Sequence, residues 1–508
     1  MPYAPKPILR QLGEADAAFI YSDSEHANSN VSLLHIYDQS TAPNGVVRFK
    51  QILAHVESRL HLLPLLRQKV LRVPLDLDYP YWVEDEHFDI EYHVRHIALP
   101  KPGDWRQFCI QASRIHARPL DLQRPLWEMY VIEGLDSFLD LPSGSFAVLL
   151  KVHHAAVDVA HESQLTTLLH DLSPNPPPAP PAPPWFPQSP PSPLVLMWRA
   201  GFHAASFPLR LAGSASKGLG LMALSIKTVA GEFWHRPSDF PATRFNTVVS
   251  PHRVFDTRRF PLEDFKRISR LVKGASINDV VLAVCAGGLR RYLALQDELP
   301  LESLLAAAPI SVPNGDQGAD SFSWVRVSLH TNEVDALRRL KALRATTSSS
   351  NVQAKASRAR GLSDAASHAP ALAIAATSKM MRAASARLGD WTPLANCSIT
   401  HLPGPAVPLY LLGARLTYLS AIMPVADGMG LVFSVTSYNE MLVISFTACY
   451  EQLPDPEVFA QCLRVSFQEY LELASPRDAA APPVPTPAAE PAKPAPAPRK
   501  KSPAKKTV

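Results

Sequence analysis

SFAVLLKVHHAAVDVAHESQLTTLLHDL, residues 145–172, is the stretch from which the fold is read. Residues 146–152 are almost wholly apolar and β-rich, which predicts a strand covered on both faces. That strand delivers His153 and His154 to its end, and Asp158 follows on the connection. Leu165, Leu168, Leu169 and Leu172 then recur at helical spacing. Connections at strand ends, held by a rigid scaffold, are where catalytic groups usually stand. An imidazole, with an unperturbed pKa of about 6.5, suits removal of an alcohol proton near neutrality. A nearby carboxylate fixes its tautomer or only holds the loop. A bare His-His pair also has an ordinary reading as loop or half-buried residues. A metal site is disfavoured, because neighbours on an extended chain point opposite ways.

Working outward, residues 49–63 place Ile52, Leu53, Val56, Leu60 and Leu63 at helical spacing, with Pro64 as the stop. Residues 105–117 read as a second helix, and 130–132 as a short strand. The segment SPNPPPAPPAPPWFPQSPPSP, 173–193, lacks the donors for ladder or helix and reads as a semi-extended spacer. Residues 194–229 read as one or two amphipathic helices, broken near Pro208, whose apolar face meets either the protein's own body or a bilayer. Further on, Ser276 caps a helix over 277–295, with Asp279 three residues later at the positive helix end. Two alternating runs, 431–437 and 441–447, form a hairpin across Tyr438-Asn439-Glu440.

The 508-residue length suits two or three domains, and two blocks hold many of the 50 prolines. The net charge of +4 hides an uneven split: residues 476–508 carry +5, and the remainder is near neutral. A near-neutral body argues against a nucleic-acid partner. The five cysteines are widely spaced with no Cys-x-x-Cys, which argues against a zinc site or disulfide framework. No segment approaches the ~20 uninterrupted apolar residues of a spanning helix, so any membrane contact is expected to be peripheral.

His153-His154-Ala155-Ala156-Val157-Asp158 resembles the HHxxxDG signature of the acyl-CoA-dependent acyltransferase superfamily, which includes chloramphenicol acetyltransferases and peptide-synthetase condensation domains. More closely, the chain resembles the bacterial wax ester synthase/diacylglycerol acyltransferase family from residue 12 to 467. The resemblance runs through Asp16-Ala17-Ala18-Phe19, Phe88-Asp89-Ile90-Glu91-Tyr92-His93-Val94, Arg118-Pro119-Leu120-Asp121 and Arg124-Pro125-Leu126-Trp127-Glu128. Thr243-Arg244-Phe245-Asn246, Ser276-Ile277-Asn278-Asp279-Val280, Leu402-Pro403-Gly404-Pro405 and Ser437-Tyr438 complete it, in order.

The resemblance implies an α/β fold of two chloramphenicol-acetyltransferase-like sandwich domains with the active site in a channel between them. The first domain is expected over 1–172, a Pro-rich linker and amphipathic crossover over 173–244, the second domain over 245–474, and a disordered Ala/Pro/Lys-rich tail over 475–508. The implied reaction moves a fatty acyl group from acyl-CoA, a co-substrate, to a long-chain alcohol or diacylglycerol, with no cofactor and no metal. His154 is implied as general base beside His153, with Asp158 largely structural. Pro125, Leu126 and Trp127 are implied to line the acyl region, and Asn278 and Asp279 to shape the site from the second domain. Asn278 is chemically suited to donate to a developing oxyanion, and Asn396 and His401 border the site. The expected location is cytoplasmic, with peripheral contact to the inner membrane or lipid droplets. One departure stands out: Val159 replaces the motif glycine, and Glu162 replaces a small residue. A β-branched residue at positive φ costs ~1–3 kcal/mol. That departure favours one alternative, a lipid-binding or lipid-droplet scaffold with weakened or lost chemistry; a separate alternative is an acyltransferase with a different hydroxyl acceptor or a carrier-protein-bound acyl donor.

Overall fold

The computed structural model describes residues 10–135, 137, 141, 142, 144–156, 165, 166, 168–177, 182–213, 241–312, 321–349, 395–405 and 407–475. The expectations for Asp158, Val159, Glu162 and the 476–508 tail therefore lie outside the described residues. Elements of the first half are β1 (Arg10–Gln11), α1 (Glu14–Ser22), β2 (Asn30–Asp38), α2 (Phe49–Arg59), β3 (Gln68–Leu71) and β4 (Tyr81–Glu84). They continue with α3 (Ile90–His93), β5 (Val94–Ala98), α4 (Trp105–Ala117), β6 (Trp127–Glu133) and β7 (Phe146–His153). After α5 (Pro193–Gly213) come β8 (Arg253–Pro261), α6 (Leu262–Ser269), α7 (Ile277–Leu295), β9 (Leu305–Val312), β10 (Ser321–Ser328) and α8 (Ala336–Thr347). The chain closes with β11 (Cys397–Pro403), β12 (Tyr410–Leu411), β13 (Ala414–Ile422), β14 (Leu431–Tyr438), β15 (Met441–Cys449) and α9 (Pro456–Ala474).

These strands form two six-stranded mixed sheets, ordered β12-β13-β2-β7-β6-β5 and β10-β9-β11-β14-β15-β8, and a small sheet β1-β4-β3. The apolar run of β7 explains its place: it is central, antiparallel to both β2 and β6, and buried at every residue. Phe146, Val148, Leu150 and Val152 face a core with Ile52, Val56 and Leu66. Ala147 and Leu149 face Phe108, Ala112 and Ile115 of α4. Lys151 points to the α4 side without exposure, and its ammonium is satisfied by Glu128 (2.8 Å) and the carbonyls of Ile115 (3.2 Å) and Arg118 (3.1 Å). Burial lowers its pKa, and the Glu128 carboxylate opposes that.

In the second half, α6, α7, α8 and α9 contribute apolar residues to one core over the second sheet. Gly287 and Gly288 let α7 and α9 approach closely: a Cβ on Gly288 would stand 2.5 Å from Leu463 Cδ2. The β14–β15 hairpin turns through Asn439 and Glu440, both at positive φ (47° and 63°), the backbone twist that two-residue hairpins require.

The first sheet is completed from the far end of the chain, since β13 pairs antiparallel with β2. β13 also lies against the hairpin of the second sheet through hydroxyl groups. Thr436 Oγ1 donates to the Leu419 carbonyl (2.7 Å), Ser434 Oγ to that of Ala421 (2.5 Å), and Ser420 and Ser445 share a 2.7 Å bond. A second seam joins α4 to β8, where Trp105 Nε1 donates to Asp256 (2.8 Å) and Arg258 pairs with the same carboxylate (2.9 Å).

Two boundaries differ from expectation. The α-helical part of 49–63 ends at Arg59, and residues 60–62 tighten into a 3-10 turn before Pro64. α5 runs unbroken through Pro208 to Gly213. An interior proline removes one ladder hydrogen bond, a loss that a long helix absorbs.

Candidate active site

The end of β7 is fixed by the turn that opens β6. Trp127 N–H donates to the Pro125 carbonyl (2.8 Å), and the Leu126 carbonyl accepts the His153 N–H (3.0 Å). The buried Trp127 indole donates to the Leu66 carbonyl (2.8 Å). Its own carbonyl accepts His93 Nδ1 (2.7 Å), and the two rings stack at 4.7 Å. Pro125, Leu126 and Trp127 are thus brought to the histidine pair by backbone bonds.

His153 is 1% exposed. Its Nδ1 accepts the Ala155 N–H (3.1 Å), and its Nε2 faces Asp23 Oδ2 at 2.9 Å. His154 leaves the strand into a 3-10 turn over His154–Ala156 and is half-buried. Its N–H donates to the Ser29 carbonyl (2.8 Å), and its ring stacks on Phe19 of α1 with centroids 4.0 Å apart. Ala156, two residues on, borders a narrow crevice of about 10 Å³, room for about one water-sized sphere, whose walls include Leu63, Leu66, Leu126, Trp127 and Val152. The walls are apolar side chains, so where they part for an alkyl chain each buried methylene gains ~0.8 kcal/mol. An imidazole beside an apolar crevice can serve as base to the polar end of a lipid.

Residues 12–281 match the wax ester synthase/diacylglycerol acyltransferase catalytic domain, and residues 319–470 match the WS/DGAT C-terminal domain. The chain belongs to the wax ester synthase/diacylglycerol acyltransferase family. It is accordingly an O-acyltransferase by family. A Mycobacterium tuberculosis relative, provisionally named a diacylglycerol O-acyltransferase, is 31% identical over 467 residues, 91% of this chain and 90% of its own. The O-acyltransferase WSD of Acinetobacter baylyi is 32% identical over 389 residues, 74% of this chain and 79% of its own. In fold, the wax ester synthase/diacylglycerol acyltransferase of Marinobacter aquaeolei VT8 superposes with a TM-score of 0.64 at 24% identity, covering 91% of this chain and 99% of that one.

Within this family frame, the second half's named residues are largely spent on structure. Asp279 is buried: Oδ2 accepts the Ser276 N–H (2.7 Å) and hydroxyl (2.8 Å), and Oδ1 accepts the Thr347 hydroxyl (2.7 Å). The capping expected from Ser276 is therefore present, with its Oγ accepting the Asp279 N–H (3.1 Å). Asn278 beside it is half-buried in the first turn of α7. Asn396 holds β9 through the Leu305 N–H (2.9 Å) and donates to the Pro241 carbonyl (2.8 Å) and Asn246 (2.9 Å). His401 stands exposed on β11.

Reasoning from the sequence missed Asp23 and Ser29 and took Phe19 only as part of a resemblance. Asp23 lies in Ser-Asp-Ser-Glu-His, which reads as an ordinary helix-ending loop. Its one available signal is position, four residues after Phe19.

Proposed function

We infer that the chain transfers a fatty acyl group from acyl-CoA to the hydroxyl of a long-chain alcohol or diacylglycerol, with His154 as general base. The observation that carries this reading is the half-buried His154 ring at the end of β7, stacked on Phe19 beside an apolar crevice, in a member of this family. His154 takes the proton as the acceptor oxygen attacks the thioester carbonyl. The resulting oxyanion collapses, the C–S bond breaks, and the thiolate recovers the proton from the imidazolium. Ester and free CoA leave one for one, without an acyl-enzyme. Asn278 is our candidate donor to the oxyanion, with Asp279 fixing the start of its helix. Leu126 and Trp127 offer the acyl chain an apolar wall, and Pro125 sets the turn behind them. Purified protein with palmitoyl-CoA and a panel of acceptors is expected to release CoA only with long-chain alcohols or diacylglycerol. CoA release confined to water-soluble acceptors would overturn the acceptor class.

This reading also supports peripheral contact with a lipid surface through α5, at the inner membrane face or a lipid droplet. Leu196 and Ala200 bury against Val73, Tyr81 and Val83. The outward face presents Leu194, Trp198 (75% exposed) and Phe202 (60% exposed), the last two rings stacked, near the exposed Leu75. Arg199 and Arg72 are exposed in the same neighbourhood and suit anionic headgroups. No helix among the described residues is long and apolar enough to cross a membrane. The double variant Trp198→Ser/Phe202→Ser is expected to bind anionic liposomes at least about tenfold more weakly, since each ring loses ~1.5–3 kcal/mol of burial. Unchanged co-flotation would contradict this face.

A further inference from the structure

We propose that Asp23 is the positioning residue of the histidine pair, acting through both of its carboxylate oxygens. Oδ1 accepts the Ser29 N–H (2.8 Å), and the Ser29 carbonyl in turn accepts the His154 N–H (2.8 Å). Oδ2 faces His153 Nε2 at 2.9 Å, and Nδ1 of that ring accepts the Ala155 N–H (3.1 Å). A backbone N–H can only donate, so Nδ1 carries its lone pair and the ring proton stands on Nε2, directed at Asp23. The peptide groups on either side of the His154 Cα are therefore each tied to one carboxylate through a single intermediary.

A third tie reaches the His154 ring itself. Asp23 caps α1, its N–H donating to the Phe19 carbonyl (3.2 Å), and Phe19 is the ring stacked on His154. Backbone and imidazole of His154 thus share one reference point. This role rests on His154 being the base. In it, His153 serves as the link that carries the Asp23 constraint into the turn, a part a generic loop histidine would not need.

The test uses the full chain with palmitoyl-CoA and hexadecanol. Because misplacing a catalytic group by ~1 Å costs ~100-fold, Asp23→Ala is expected to lower kcat about 30- to 100-fold with KM within about twofold. Asp23→Asn keeps an oxygen acceptor and is expected to recover most of that loss, which also covers an alanine variant that fails to fold. In histidine-selective ¹⁵N spectra, the His153 ring should hold the Nε2–H tautomer in the parent, and in Asp23→Ala the Nε2–H resonance should shift as it loses its carboxylate acceptor. A folded Asp23→Ala with parental kcat overturns the proposal, as does a kcat loss matched by KM with the His153 Nε2–H resonance unchanged. If the parent transfers no acyl group, the functional reading fails instead, and the His153 Nε2–H resonance alone then decides whether Asp23 holds that ring.

Discussion

Replacing His154 by alanine is expected to lower kcat by about 10³- to 10⁴-fold, the upper range for loss of a general base. KM for acyl-CoA should stay within about threefold, because the imidazole acts on the acceptor proton in the transition state and not on the bound thioester. The fold should survive, since the ring is half-buried and its main aromatic partner is Phe19, a stack contributing ~1 kcal/mol. His153→Ala should cost less in kcat, about 10- to 100-fold, because it displaces His154 without removing it. Steady-state CoA release by both variants checks the order. If His154→Ala is the more active of the two, the base is assigned to the wrong imidazole.

The second large effect concerns acid. His35, His116 and His170 are wholly buried in the first half, and burial holds their pKa values down: His116 to about 3, His170 to about 4, and His35 well below 6.5. His170 donates from Nδ1 to the Thr166 carbonyl (2.7 Å) and bonds the Tyr37 hydroxyl at Nε2 (2.7 Å), with the His35 ring 5.2 Å away. His116 bonds Ser32 (2.9 Å) close to the cations of Arg253 and Lys151. Such histidines fold neutral, and the unfolded chain binds the protons they refuse. Their contribution is complete above pH 6.5 and is lost as pH falls toward the folded values of about 4 and 3. At pH 5 His116 and His170 should each cost ~2 kcal/mol, so the two together remove ~4 kcal/mol from a typical stability of ~5–15 kcal/mol, and His35 acts in the same direction. Urea unfolding at pH 7.5, 6 and 5 should show the loss, and His170→Gln should flatten it. A stability independent of pH between 7.5 and 5 would contradict neutral burial.

What the sequence discloses about this chain follows the range of the forces involved. The strand ending at His153, the helix over 105–117, the Ser276 cap and the 431–449 hairpin were legible because each is decided by neighbours within a few residues. β13 was not legible as a strand of the first sheet. Its register against β2 joins residues nearly four hundred positions apart, and only the complementary surfaces select it. The site divides in the same way. His153, His154 and the Pro125–Trp127 turn were legible as motifs, but Ser29 acts through its backbone N–H and carbonyl, which every residue type carries, and Asp23 through a carboxylate whose histidine partner lies 130 residues away. Lys151 is the charged residue of that apolar strand. In the structure it is bonded to the end of α4 and to Glu128, so the charge belongs to the core.

Chemical quench of a single turnover on palmitoyl-CoA bears most directly on whether a hydroxyl, deprotonated at residue 154, meets the thioester without an enzyme-bound acyl stage. With hexadecanol present, CoA and palmityl palmitate should appear together at one rate, and with no acceptor neither should form beyond background hydrolysis. A stoichiometric burst of CoA before any ester, or in the absence of alcohol, would mean that the protein itself takes the acyl group.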